Sequence, residues 1–589
     1  MSAYPVLLTR PLAAGFAAGL LLALGACSAA NPDAAATAAK SEGAVVLADQ
    51  VRQSQRAELR EQEVSSAPAQ LQRKAAAEDM AVMPSVAYAP MPIAGSMPDA
   101  LPPGYRDQGR EQYQKLADNP VHAVAETPVS TFSIDVDTGS YANVRRFLNQ
   151  GQLPPAEAVR LEELVNYFPY AYPLPTGDTP FGVGTELAVT PWNPQSRLLR
   201  IAIKASDMQA AQLPPANLVF LVDVSGSMDR REGLPLVQST LKLLVEQLRA
   251  EDKVSLVVYA GSSSVVLEPT SGSDKAKIRA AIDQLTAGGS TAGESGIQLA
   301  YQQAQQGFIE GGINRILLAT DGDFNVGISD FETLKQLAAD KRKTGISLTT
   351  LGFGTDNYNE QLMEQLADAG DGNYAYIDNL REARKVLVDQ LGSTLATVAK
   401  DVKIQVEFNP AQVSEYRLLG YENRALKRED FSNDKVDAGE IGAGHTVTAL
   451  YEIVPTGNKG WLEPLRYQQA ERSVSEQGEL ALLRIRYKAP QPGSSRLLEI
   501  PIVAQRNVPA IAQASEDLRF AAAVAAFAQQ LKGAQYTGDF DLAASAELAR
   551  SGKGEDRFGL RGEFVQLVEL AQSLQTPASL PAPSAAKVD

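Results

Sequence analysis

Short apolar runs alternate with amphipathic helical segments between residues 213 and 398, and this alternation limits the possible folds more than any other feature of the 589-residue chain. The first run, NLVFLVDV at 217–224, is continuously hydrophobic, as strands buried on both faces are. The segment that follows, 234–249, repeats its leucines at helical spacing. This pattern predicts an α/β domain with a doubly wound, mostly parallel sheet. Ligands of such sheets bind at the carboxyl ends of the strands.

Oxygen-bearing side chains stand at the predicted strand ends. The first strand ends in a D-x-S-x-S turn that contains Asp223, Ser225 and Ser227. A glycine-rich loop carries Thr291 just before a helix, and a later strand ends in Asp321. Two carboxylates and three hydroxyls suit a hard cation, Mg²⁺ or else Mn²⁺ or Ca²⁺. The spacing therefore predicts a divalent-metal site built wholly from oxygen.

The five residues in this order resemble the metal-ion-dependent adhesion site (MIDAS) of von Willebrand factor type A (VWA) domains, whose motif is DxSxS…T…D. By this resemblance, the two serines and the threonine approach the metal, and the two aspartates act largely through water. The resemblance also implies a protein partner, because an exposed Asp or Glu carboxylate of that partner completes the coordination. No general base is apparent beside the motif, so the chain is predicted not to be an enzyme.

Segments on both sides of the predicted VWA domain, 119–212 and 399–575, contain their own strands and helices. The first carries TFSIDVDTGSYANVRRFL, and the second carries alternating runs such as VKIQVEF before helices rich in Ala and Leu. This order resembles the bacterial YfbK-like lipoproteins, which flank a VWA domain with their own N- and C-terminal domains. We expect the two flanks to pair in one β-rich α+β platform, with the VWA domain (213–398) inserted between them. Residues 576–589 form a biased tail that is expected to be disordered.

The N-terminus resembles a lipoprotein signal. Arg10 precedes an apolar stretch at 11–24, and the small residues that follow lead to Cys27, the single cysteine of the chain. The resemblance implies a signal peptide at 1–26 and a lipid, such as palmitate, on Cys27. In such lipoproteins, an Asp directly after the cysteine favours retention in the inner membrane, and this chain has Ser28 at that position. The resemblance therefore implies a protein of the cell envelope that is anchored to the outer membrane and faces the periplasm. A plain secretory signal with an incidental cysteine is the alternative.

Amino-acid composition predicts the nature of the segment that follows the signal and argues against several functions. Residues 27–118 are rich in Ala and Pro and poor in large apolar side chains, which predicts a disordered tether. The chain has 54 Lys and Arg against 70 Asp and Glu, a balance that argues against nucleic acid as a partner. A single cysteine excludes an intrachain disulfide and a zinc–thiolate cluster, and two histidines leave few imidazoles for catalysis.

Two other functions stay open at this stage. Asp137-Thr138-Gly139-Ser140 matches the active-site loop of aspartic proteases, which need two aspartates, yet no second D-T-G outside the metal motif is present. We expect this turn to cap a helix at 141–149 instead. A hydrolase that works at the metal site or at Asp137 is one alternative. An envelope scaffold whose metal serves only stability is the other.

Overall fold

The computed structural model describes residues 111–208, 212–289, 293–322, 331–355, 358–436, 438–463, 478–490, 493–503 and 507–575. The predicted signal peptide, the lipidation site Cys27, most of the predicted tether, the metal-site residue Thr291 and the C-terminal tail lie outside the described residues. Of the helices that the structure describes, none has the length and the hydrophobicity needed to cross a bilayer.

Seventeen strands are present in the described part of the chain. They are β1 (His122–Ala123), β2 (Val129–Ser133), β3 (Phe181–Thr190), β4 (Asn193–Ala205), β5 (Ala216–Asp223), β6 (Lys253–Tyr259), β7 (Ser263–Ser271), β8 (Ile313–Thr320), β9 (Ser347–Gly352), β10 (Tyr374–Tyr376), β11 (Thr397–Phe408), β12 (Val413–Leu419), β13 (Ile441–Gly442), β14 (Thr446–Pro455), β15 (Glu479–Lys488), β16 (Arg496–Val503) and β17 (Asn507–Val508).

Twelve α-helices accompany these strands in the same described residues. They are α1 (Gly139–Asn149), α2 (Leu161–Asn166), α3 (Leu234–Gln247), α4 (Lys275–Asp283), α5 (Gly293–Gln306), α6 (Phe331–Arg342), α7 (Glu360–Ala369), α8 (Leu380–Arg384), α9 (Leu391–Leu395), α10 (Glu516–Leu531), α11 (Leu542–Ser551) and α12 (Leu560–Gln575).

The central domain has one six-stranded sheet in the order β10-β9-β8-β5-β6-β7. Its neighbouring strands are parallel except for β6 and β7, which pair antiparallel. All residues of β5 are buried, as its continuous hydrophobicity predicts. Phe220 packs in a core with α3 and α4, whereas Leu221 packs in a second core with α5, α6 and α7. Helices therefore cover both faces, and the predicted doubly wound sheet is confirmed.

The two flanking segments build a shared platform around that domain. One sheet runs β1-β12-β14-β4-β3-β17, so strands from before and after the central domain pair within it. A second sheet runs β13-β11-β15-β16, and β2 from the first flank pairs with β11 from the second. Apolar side chains from both sheets form one core, and α10, α11 and α12 pack in another with α1 and α2. The predicted β-rich α+β platform with an inserted α/β domain is confirmed.

Residues 111–118 correct the predicted extent of the tether. The backbone N–H of Gln112 donates to the carbonyl of Tyr358 at 2.9 Å, and the N–H of Glu360 donates to the carbonyl of Gln112 at 3.2 Å. Glu111 pairs with Arg146 of α1 at 2.8 Å. This short segment therefore lies against the central domain. Composition missed it because a few specific contacts with distant residues, and not a run of apolar side chains in the segment itself, hold it in place.

Asp137 corrects a second prediction, that the D-T-G-S turn caps a helix. Helix α1 begins at Gly139, and its N-cap residue, Thr138, makes no side-chain cap hydrogen bond to a described residue. Asp137 instead accepts a hydrogen bond from the backbone N–H of Tyr374 at 2.9 Å and pairs with Arg424 at 3.2 Å. The carboxyl group of Asp137 is thus used for polar contacts between the platform and the central domain, which a buried polar group needs.

Candidate metal site

Asp223 is the last residue of β5 and is completely buried. Its Oδ1 accepts a hydrogen bond from the backbone N–H of Ser225 at 2.9 Å, and its Oδ2 accepts one from the hydroxyl of Thr320 at 2.9 Å. Thr320 ends β8, the parallel neighbour of β5, and its Oγ1 in turn accepts from the N–H of Gly322 at 3.1 Å. Sequence analysis missed Thr320, although its place directly before Asp321 was visible. The carboxylate of Asp223 is thus held in one orientation from two strand ends.

The two serines of the motif lie side by side. A short 3₁₀ turn at Gly226–Met228 follows β5 and brings the Oγ atoms of Ser225 and Ser227 to 3.0 Å from each other. Ser225 is buried and Ser227 is half-buried, so the pair leads from the interior of the domain towards its surface. Two hydroxyl oxygens at this spacing can face a single cation.

The glycine-rich loop reaches the same strand end. The N–H of Gly226 donates to the carbonyl of Gly289 at 3.1 Å, and the N–H of Gly288 donates to the carbonyl of Val224 at 2.8 Å. Gly289 has φ of 92°, a left-handed conformation that favours glycine. Thr291 follows two residues later and lies outside the described residues, so its role stays a prediction.

Asp321 directly follows β8 and is buried like Asp223. Gly322 and Gly354 beside it have φ of 81° and 77°. A Cβ at Gly322 would lie 2.9 Å from the backbone nitrogen of Asn359, and a Cβ at Gly354 would lie 3.4 Å from the Cβ of Asp321. The backbone therefore closes tightly around this carboxylate, which requires glycine at Gly322.

Electrostatics connect the two aspartates. Burial raises the pKa of Asp223 to about 6, and the negative charge of Asp321 contributes to the same shift. Hydrogen bonds from Ser225 and Thr320 act in the opposite direction. Two buried carboxylates beside two hydroxyls form a site that a cation would stabilise, and hard divalent cations prefer such oxygen donors. The described residues of the predicted site, Asp223, Ser225, Ser227 and Asp321, therefore suit the predicted kind of ion.

A second group of carboxylates lies elsewhere, between the central domain and the platform. Asp135, Asp137 and Asp368 each offer one oxygen within 4.8 Å of the others. Arg424 pairs with all three, at 3.2, 3.2 and 2.7 Å respectively, so a guanidinium already supplies the positive charge that a metal would bring. These contacts make the group an ion-pair cluster, and they also engage the aspartate that an aspartic protease would need free.

Three family descriptions match successive parts of the chain. Residues 217–390 match “von Willebrand factor type A domain”, residues 107–200 match “von Willebrand factor”, and residues 393–574 match “Uncharacterized protein YfbK, C-terminal”. YfbK of Escherichia coli (strain K12) is 52% identical over 475 residues, which cover 79% of this chain and 82% of the E. coli protein. The chain belongs to the YfbK family. The central domain of this YfbK-family protein is a VWA domain, a class that commonly mediates protein–protein interaction and typically binds a divalent metal at MIDAS.

Other relatives match smaller parts of the chain. Protein sll0103 of Synechocystis sp. is 35% identical over 190 residues, which cover 32% of this chain and 43% of that protein. The magnesium-chelatase 60 kDa subunit of Cereibacter sphaeroides is 29% identical over 207 residues, covering 33% of this chain and 37% of that subunit. A solved von Willebrand factor type A structure from Catenulispora acidiphila aligns over 67% of this chain and 91% of its own, with 16% identity and a TM-score of 0.39.

Proposed function

We propose that this YfbK-family protein is a cell-envelope lipoprotein whose VWA domain captures a protein partner through a divalent cation, Mg²⁺ or else Mn²⁺ or Ca²⁺. An exposed Asp or Glu carboxylate of the partner completes the coordination. The observation that carries the proposal is the convergence of Asp223, Ser225 and Ser227 at one end of β5, beside the end of β8.

The chemistry of these donors supports capture of a carboxylate. Hydroxyl oxygens are neutral ligands, so a cation held by Ser225 and Ser227 keeps most of its positive charge. Both oxygens of Asp223 already accept hydrogen bonds from protein groups, which fits an aspartate that acts on the metal through water. A cation with a high residual charge and an open coordination position attracts an external anion.

Capture of envelope proteins by the full-length protein tests this function. The protein is immobilised in Mg²⁺ or in EDTA, and the retained proteins are quantified by mass spectrometry. We expect specific partners to be retained at least tenfold more in Mg²⁺, and Asp223→Ala to lower retention to the EDTA level because the aspartate that organises the site is gone. Asp229→Ala is the matched control, since Asp229 is an exposed carboxylate in the same loop and should capture normally.

Two outcomes of this experiment contradict the proposal. Equal retention in EDTA, or by Asp223→Ala with an unchanged circular dichroism spectrum, would show that binding does not use the metal site. A Mg²⁺-dependent rise in melting temperature without Mg²⁺-dependent capture would instead favour the scaffold in which the metal serves stability only.

The envelope location rests on Cys27 and the signal-like residues before it. We expect the wild-type protein to incorporate labelled palmitate in a bacterial host and to sediment with the outer membrane. Cys27→Ser should lose the label, because the thiol that would carry the lipid is absent. Palmitate label retained by Cys27→Ser, or missing from the wild type, would favour the plain secretory signal.

A further inference from the structure

Helix α7 carries an acidic stripe that faces the platform and not the solvent. Glu360, Glu364 and Asp368 are spaced by four residues and therefore lie on one face of the helix. Glu360 and Glu364 are only 1% and 4% exposed. Such a face is normally in water, since burying an ionised carboxylate is costly.

The platform meets this stripe with more carboxylates. Asp135 and Asp137 follow β2, and Glu162 and Glu163 belong to α2. Asp137, Glu162 and Glu163 are buried, and the negative charges of Glu163 and Glu364 act on each other. Seven acidic side chains therefore gather between the VWA domain and the platform. We call this group the carboxylate joint: Asp135, Asp137, Glu162, Glu163, Glu360, Glu364 and Asp368.

Two guanidinium groups face the carboxylate joint. Arg424 pairs with Glu364 at 2.8 Å in addition to its three aspartate partners, and Arg160 is buried where its charge acts on Glu360 and Glu162. Other charged groups lie at the edges of the joint. At one edge, Glu422 pairs with Lys532, and its charge acts on Glu162. At another edge, a cavity of about 360 Å³ beside Asp135 and Asp368 is lined by Lys335, Arg342 and Glu440.

Five of the seven carboxyl groups are buried, and the two guanidinium ions that face the joint cannot neutralise all seven, so most of these acids need another positive partner. One oxygen of Asp135 lies within 4.8 Å of one oxygen of Asp368, and two carboxylates this close repel each other unless one of them is protonated. We propose that the carboxylate joint is a proton-dependent contact. Protons bound by these carboxyl groups hold α7 of the VWA domain against the platform, and release of those protons to water at alkaline pH opens this contact.

The pKa values give the pH range of the switch. Burial raises the pKa of Asp135 and of Glu162 to about 7 and that of Glu163 to about 8. Repulsion from neighbouring carboxylates acts in the same direction, whereas the positive charge of Arg160 or Arg424 acts in the opposite direction. A carboxyl group with a raised pKa binds more protons in the closed form than in the open form. Its contribution to stability is therefore fully present below the ordinary carboxyl pKa and is lost as pH rises through 7 to 8.

Hydrogen exchange of the full-length protein between pH 6 and pH 9 tests this inference. Rates are corrected for the intrinsic pH dependence of exchange, and EDTA is present throughout so that metal binding does not change with pH. In the wild type we expect protection of α7 to fall at least tenfold between pH 7 and pH 9, while β5 keeps its protection. The double variant Glu163→Gln/Glu364→Gln should keep α7 protected at pH 9, because neutral amides imitate the protonated acids.

Glu268→Gln is the control, since Glu268 is an exposed carboxylate on β7 of the same domain and its loss should leave the wild-type profile unchanged. The wild-type profile decides the question even if the double variant does not fold. Constant protection of α7 up to pH 9 in the wild type would overturn the inference, as would an equal loss of protection in a folded double variant.

Discussion

Replacement of Arg145 by methionine is expected to lower the free energy of unfolding by about 3–5 kcal/mol, because it removes one partner of a buried ion-pair network. Arg145 lies on α1 of the platform and is 1% exposed. Its guanidinium donates to Asp378 at 2.8 and 2.5 Å and to Glu382 at 2.8 Å. It also pairs with Glu563 of α12 at 3.3 Å. One side chain therefore joins the end of the VWA domain to both flanks.

Methionine keeps much of the volume of Arg145 but leaves the buried carboxylates of Asp378 and Glu382 with less positive charge beside them. Lys385 stays near Glu382, at 3.5 Å, so Asp378 suffers the larger loss. Urea denaturation followed by circular dichroism measures the effect. Arg384→Met is the control, since Arg384 is exposed on α8 and should change little. Adding Asp378→Asn to Arg145→Met should restore part of the stability, and a single-variant loss below about 1 kcal/mol would contradict the prediction.

Glu452→Ala is expected to have an effect of similar size, about 3–5 kcal/mol, in the middle of the platform. Glu452 lies on β14 and is completely buried. Its carboxylate accepts hydrogen bonds from Arg417 at 2.9 Å, from the hydroxyl of Ser196 at 2.7 Å and from the indole N–H of Trp192 at 3.2 Å. Truncation leaves these donors buried, with Arg417 the most costly because it is charged.

The same denaturation experiment measures the loss in Glu452→Ala. Glu452→Gln should retain part of the stability, because its amide oxygen can still accept hydrogen bonds. Glu499→Ala is the control: Glu499 is exposed on β16 and pairs with Arg484 at the surface. Equal losses for Glu452→Ala and Glu499→Ala would show that burial of Glu452 does not determine its contribution.

Local patterns in the chain predicted the central domain well. The continuous run at 217–224 is β5, and the alternation of strands and helices produced the doubly wound sheet. These features depend on periodicity and on chain order, which a sequence contains directly. The same holds for Asp223, Ser225 and Ser227, because a turn after a strand keeps close neighbours together.

Contacts between distant segments were harder to predict. The acidic stripe of α7 has the spacing of a solvated helix face, and only packing against the platform shows that it is buried. Asp137 looked like a helix cap because its partner, Arg424, lies 287 residues away in the chain. Residues 111–118 looked like a tether because the groups that hold them belong to α1 and to the segment at α7.

The pairing of the two flanks was expected from the resemblance to a known family. The sequence by itself determined the class of the central domain and predicted the kind of ion that its strand ends suit. It did so because hydrophobic periodicity and the choice of oxygen donors are local properties of the chain. The tertiary structure alone decided that Thr320 orients Asp223 and that seven carboxylates meet between domain and platform. The energies of these groups depend on burial and on charges brought together from distant positions, and neither is set until the chain folds.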